Sequence, residues 1–90
     1  MWIVEVDDEV WALDTVGLPE VERREIRDTV ESWTVTGPPA TTGARRVGTW
    51  IWHEFEMANG LVIKFATEED GLGGGLVVVT RVVLRYWFPS

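Results

Sequence analysis

The sequence predicts an α+β fold: a first strand, two helices, then a mostly antiparallel three-stranded sheet. Three observations carry this. The chain opens on an alternating apolar run, Trp2-Ile3-Val4-Glu5-Val6. Its middle carries apolar residues at helical spacing between Pro19 and Gly37. From Val47 onward the apolar period becomes two, with Asn59-Gly60 between two such runs.

In the first strand, Trp2, Val4 and Val6 share one face. Asp7 or Asp8 suits a helix N-cap, and Glu9 suits the first turn, where a carboxylate meets free amide groups. Val10, Trp11 and Leu13 then give a short helix ending near Gly17. Pro19 fits the first turn of a longer helix, because its fixed φ is already helical and its missing N–H is not needed there. Along Glu20 to Trp33, Val21 (or Glu22), Ile26, Val30 and Trp33 form an apolar stripe. Glu20 with Arg24, and Arg27 with Glu31, are surface pairs worth about 0.2–0.5 kcal/mol each.

Thr34 to Gly43, with Gly37-Pro38-Pro39, reads as a loop inside one domain spanning residues 1–90, since neither flank could build a core alone. In the next strand Thr49, Ile51, His53, Phe55 and Met57 share one face, and Trp50, Trp52, Glu54 and Glu56 the other. Asn59 and Gly60 both tolerate positive φ, as a type I′ hairpin turn requires. Leu61 to Thr67 is the return strand, and Glu68 to Gly75 a looser acidic, glycine-rich turn. Leu76 to Phe88 is a long final strand, apolar enough to lie centrally. Strict alternation puts Val77, Val79, Arg81, Val83 and Arg85 on one side of it and Val78, Thr80, Val82 and Leu84 on the other.

Ninety residues suit one domain, and six tryptophans can supply a dense core. There is no cysteine, so disulfides and thiolate metal sites are excluded. No basic segment followed by an apolar run opens the chain, and apolar runs such as Leu76 to Val79 fall far short of the roughly 20 residues a membrane helix needs. A cytoplasmic location with no membrane partner is the expectation. Net charge is −7, which argues against indiscriminate nucleic-acid binding. The charge is uneven. Residues 1–44 hold ten acids and three bases, whereas residues 45–90 hold five of each. A basic site must therefore draw on Arg45, Arg46, Lys64, Arg81 and Arg85.

Arg81 and Arg85 lie four apart on a strand, so they share a face with about 13 Å between Cα atoms. With Lys64 beside them they could hold a phosphodiester and stabilise a phosphorane. His53 could then move the proton, since imidazole titrates near neutrality. The same charges could simply solvate one face and pair with Glu54 or Glu56. His53 equally fits a half-buried strand position, and as the lone histidine it makes a poor metal ligand. Trp50 and Trp52 fit either packing under a helix or stacking on bases. Glu68-Glu69-Asp70-Gly71 lacks the alternating oxygen ligands of a calcium loop and reads as a solvated hairpin tip. Gly73-Gly74-Gly75 has no following lysine or helix and is no phosphate loop.

The order of elements and several short strings resemble the RelE/ParE toxin superfamily, nearer its HigB-like branch. The strings are Trp2-Ile3-Val4-Glu5-Val6, Glu9-Val10-Trp11-Ala12-Leu13, the Gly37-Pro38-Pro39 loop, Trp50-Ile51-Trp52-His53-Glu54-Phe55, Leu61-Val62-Ile63-Lys64-Phe65, and Thr80-Arg81-Val82-Val83-Leu84-Arg85-Tyr86. The resemblance implies a β-α-α-β-β-β fold and the toxin of a type II toxin-antitoxin system. Two activities are implied: an endoribonuclease cutting ribosome-bound mRNA without metal or cofactor, or a non-enzymatic module of the gyrase-inhibitor or degenerate-toxin kind. It also implies a small cognate antitoxin as partner. On the nuclease reading His53, Lys64, Arg81 and Arg85 are catalytic, and Arg45 and Arg46 bind RNA. The sequence departs from the family pattern in three ways. His53 or Phe55 stands where the Trp-Glu-Leu-Arg-like string would carry arginine. Val62 occupies the return-strand arginine position, with Lys64 two residues on. The chain is also acidic where such toxins are usually basic.

Overall fold

The computed structural model describes residues 1–41, 44–58 and 60–84. The elements are β1 (Trp2–Val6), α1 (Asp8–Asp14), α2 (Glu20–Thr36), β2 (Arg45–Val47), β3 (Trp50–Glu56), β4 (Leu61–Glu69) and β5 (Gly75–Leu84). The class is α+β, as expected, but the sheet is larger and mixed. It has five strands in the order β1-β5-β4-β3-β2. β1 joins it by pairing parallel with β5, Trp2 opposite Gly75 through Val6 opposite Val79. A short edge strand, β2, pairs antiparallel with β3. Parallel pairing needs a long return connection, which the helices and the other strands supply. β5 thus lies between β1 and β4, in the interior position its apolar sequence implied.

Local chemistry sets the helix ends. Asp7 caps α1, its Oδ1 accepting from the amides of Glu9 and Val10 at 2.8 and 3.3 Å. Pro19 sits one residue before α2, at the N-cap position. α2 also runs three residues past the expected end at Trp33. Hydroxyls of Ser32, Thr34 and Thr36 donate back to carbonyls of Thr29, Glu31 and Ser32. The helix stops at Gly37, whose φ of 79° is costly for any residue with a Cβ.

The buried stripe of α2 is Ile26, Val30 and Trp33. Val21 is not part of it, being 67% exposed, and Leu18 from the preceding loop packs against the core. The stripe covers Leu61, Ile63 and Phe65 of β4 and Val77, Val79 and Val82 of β5. Trp33 sits at the centre, 4.7 Å from the Phe65 ring and edge-on to Phe55 at 6.0 Å. Removing such a buried indole costs about 3–5 kcal/mol.

Two turns depart from expectation. Gly60 N donates to Met57 O at 3.0 Å, and Met57 N to Leu61 O at 2.7 Å. The turn therefore spans residues 57–60, with Gly60 in the left-handed region as its last residue (φ 86°) in place of a two-residue type I′ loop. Asn59 lies outside the described residues. In β5 the register shifts by one: Lys64 pairs with Arg81, but Phe65 pairs with Val79. Thr80 is the extra residue of a β-bulge, its hydroxyl donating to Lys64 O at 3.1 Å. The bulge breaks the strict alternation, so Val77, Val79 and Val82 are the buried positions and exposed Arg81 is not among them.

Candidate nucleic-acid interface

The helices cover one face of the sheet, and the candidate site lies on the other. Register builds it in two rungs. In the first, Arg45 of β2 stands opposite Trp52 of β3, which stands opposite Ala66 of β4. In the second, Glu54 of β3 stands opposite Lys64 of β4, which stands opposite Arg81 of β5. Arg45, Trp52, Glu54, Lys64 and Arg81, together with Val47 and Thr80, border a concavity of about 690 Å³. That size suits a small ligand or one unit of a polymer.

Each inner cation has a carboxylate neighbour. Lys64 Nζ lies 3.6 Å from Glu54 Oε1, with both side chains well exposed. Such a pair contributes about 0–1 kcal/mol and is readily exchanged for another anion. Arg81 Nε donates to Asp14 Oδ2 at 2.9 Å, and the same oxygen accepts the Val82 amide at 2.8 Å. The reason lies in strand lengths. β1 ends at Val6, opposite Val79, while β5 continues to Leu84. The Val82 N–H thus has no ladder partner on that side, and the end of α1 brings a carboxylate to it. The Asp14 side chain is only 8% exposed, whereas that of Arg81 remains 60% exposed.

The other expected site residues lie elsewhere. His53 borders the concavity from β3, but its ring turns to the helix-side face, stacked on Phe65 at 4.8 Å and 12°. The Thr41 hydroxyl is 2.7 Å from Nδ1 and the Thr67 hydroxyl 3.0 Å from Nε2. Burial pushes its pKa below the usual histidine value, so the neutral ring is favoured. Arg46 stands opposite Ile51, on the other face of β2 from Arg45, and borders a separate hollow with Glu68 and Glu69. Arg85 lies outside the described residues. The structure thus brings Arg45, Lys64 and Arg81 together and sets His53 and Arg46 apart from them.

Reading the sequence alone missed Asp14, which no motif marks. It left Trp52 open between core and platform, although its shared parity with Glu54 and Glu56 was the usable signal. Asp70 is confirmed as a hairpin tip. Its Oδ1 accepts from the amides of Leu72 and Gly74, and those bonds hold its pKa below the usual value. Among the described residues no group of three or more His, Cys, Asp or Glu side chains could hold a metal ion, and no helix is long and apolar enough to cross a membrane. No family model, curated protein or solved structure matches this chain.

Proposed function

We propose that this chain is a toxin of the RelE/ParE kind that cuts RNA on the open face of its sheet. On this reading it acts on ribosome-bound mRNA in the cytoplasm and is held in check by a small antitoxin. The observation that carries the reading is the cross-strand pair Lys64–Arg81, with Glu54 beside it and Arg45 on the rim of the same concavity. The order of elements, with strands following two helices, supports it as well.

The chemistry needs no group beyond these side chains. A ribose 2′-oxygen attacks the adjacent phosphorus as Glu54 takes its proton. The bond from phosphorus to the 5′-oxygen breaks, and Lys64 protonates the departing oxygen, leaving a 2′,3′-cyclic phosphate. Arg81 stabilises the charge that grows on the phosphoryl oxygens. Glu54 thus takes the proton-transfer role that the sequence suggested for His53, whose ring is turned away.

The test is induced expression in a bacterial host without any partner, following growth and transcript integrity together. Growth arrest with cut transcripts is expected. Lys64→Ala and Arg81→Ala should each reduce cleavage about 10²–10³-fold while the purified variants keep the wild-type circular dichroism spectrum. Undiminished cleavage in both variants overturns the assignment. A second reading, a non-enzymatic protein-binding module, is favoured by one specific fact: both inner cations already face carboxylates, Asp14 and Glu54. Arrest with intact transcripts would select it.

A further inference from the structure

We propose that Trp52 is a stacking platform for one base of a single-stranded RNA, with Arg45 and the Lys64–Arg81 pair holding the phosphates on either side. This deepens the RNA reading of the same face. It relies on that reading for the ligand and is independent of whether the RNA is then cut.

Trp52 is 42% exposed, while Trp33 is 3% exposed and Trp2 and Trp11 pack against the core. An indole offers a large apolar area whose burial is strongly favourable, so leaving one open on a sheet face is unusual in so small a domain. Its neighbours keep it open. Ala66, directly across β4, has too short a side chain to cover a ring, and no aromatic ring among the described residues stacks on Trp52. On its other side stands Arg45, exposed on the edge strand.

The second rung lies two residues further along β3, about 7 Å away at the usual strand rise. It carries Lys64 and Arg81. A cation, an aromatic face and a cation pair therefore follow one another across a concavity of about 690 Å³. That sequence matches phosphate, base, phosphate. Single-strand binders combine a basic groove with aromatic platforms in this way. The charge distribution points the same way: three of the five basic residues beyond position 44 sit on this face of a chain whose net charge is −7. A duplex would hide its base faces and could not use the indole, so the ligand is single-stranded.

The experiment is fluorescence anisotropy with a labelled 2′-O-methyl oligouridylate of roughly eight nucleotides, which cannot be cut because the attacking oxygen is blocked. The wild type is expected to bind it more tightly than the same strand in a duplex. Trp52→Ala should weaken binding about tenfold, equivalent to ~1.4 kcal/mol and within the range for one stacked base. Trp52→Phe should stay within about threefold of wild type, because a smaller ring still stacks. Two results overturn the proposal: no binding by the wild type at low salt, or Trp52→Ala binding as well as wild type while Lys64→Ala and Arg81→Ala lose affinity. The second leaves the phosphate grip standing without the platform. Trp52-dependent binding by a protein that cuts no transcript upholds the platform and removes only the nuclease.

Discussion

At the scale of single residues, His53 shows how one strand position decides a role. Its ring is stacked on Phe65 and bridged by the hydroxyls of Thr41 and Thr67. It ties the segment after α2 to the sheet. Because burial lowers its pKa in the folded state, the unfolded chain binds the proton more readily. Folding stability is then complete above the unfolded value near 6.5 and falls as pH drops from there through the lowered folded value. His53→Gln should remove the part of the decline that His53 contributes as pH falls below about 6.5, as read by urea midpoints across a pH series. An unchanged slope would show that other groups set it. The face His53 occupies was legible in advance, since Ile51, His53, Phe55 and Met57 share a parity. What misled was chemical: a lone histidine near cations suggests proton transfer until the parity of Lys64 is compared with it. In the structure Lys64 pairs with Glu54 across the ladder, whereas His53 pairs with Phe65.

At the scale of elements, strands and helices were read closely, and turns and irregularities were not. Apolar periodicity is set by burial, so β1, α2, β3 and β4 followed from it. The bulge at Thr80 has no such signature. It arises from the register shift between Lys64 and Phe65, and no glycine marks it. β2 was missed because three exposed residues, Arg45-Arg46-Val47, carry no period. The glycines before β5 were read only as a loose turn, yet Gly74 is buried, and a Cβ there would collide with the backbone of Met1. Gly71 has positive φ but open space around it. Gly74→Ala should therefore destabilise by about 1–3 kcal/mol through overpacking, and Gly71→Ala by less, about 1 kcal/mol from backbone strain alone. Denaturant melts of the two variants check the order. Equal effects would mean that the N-terminal residue moves aside freely.

At the scale of the whole molecule, charge and cover are segregated. The helices carry most of the acids and lie on one side of the sheet, while the open side carries Arg45, Lys64 and Arg81 with Glu54 among them. Net charge alone hides this, because −7 is an average over unlike faces. If the open side grips a single strand through three cations, binding should weaken with salt at a log–log slope of about −2. Titration of the 2′-O-methyl strand from low to moderate salt measures it. A slope near zero would show that no phosphates are held.

The parallel pairing of β1 with β5 also orders events in time. Trp2 through Val6 leave the ribosome well before their ladder partners, Gly75 through Val79. Long-range pairing of this kind closes late, because the loop entropy must be met before the contact forms. Arg81 follows two residues after Val79, so the cationic face is completed only once nearly the whole described chain has been made. A nascent chain with α2 already formed still lacks Lys64 and Arg81, the cross-strand pair of the open face. If the open face grips RNA, that grip must wait until Arg81 has been made and β5 has closed between β1 and β4.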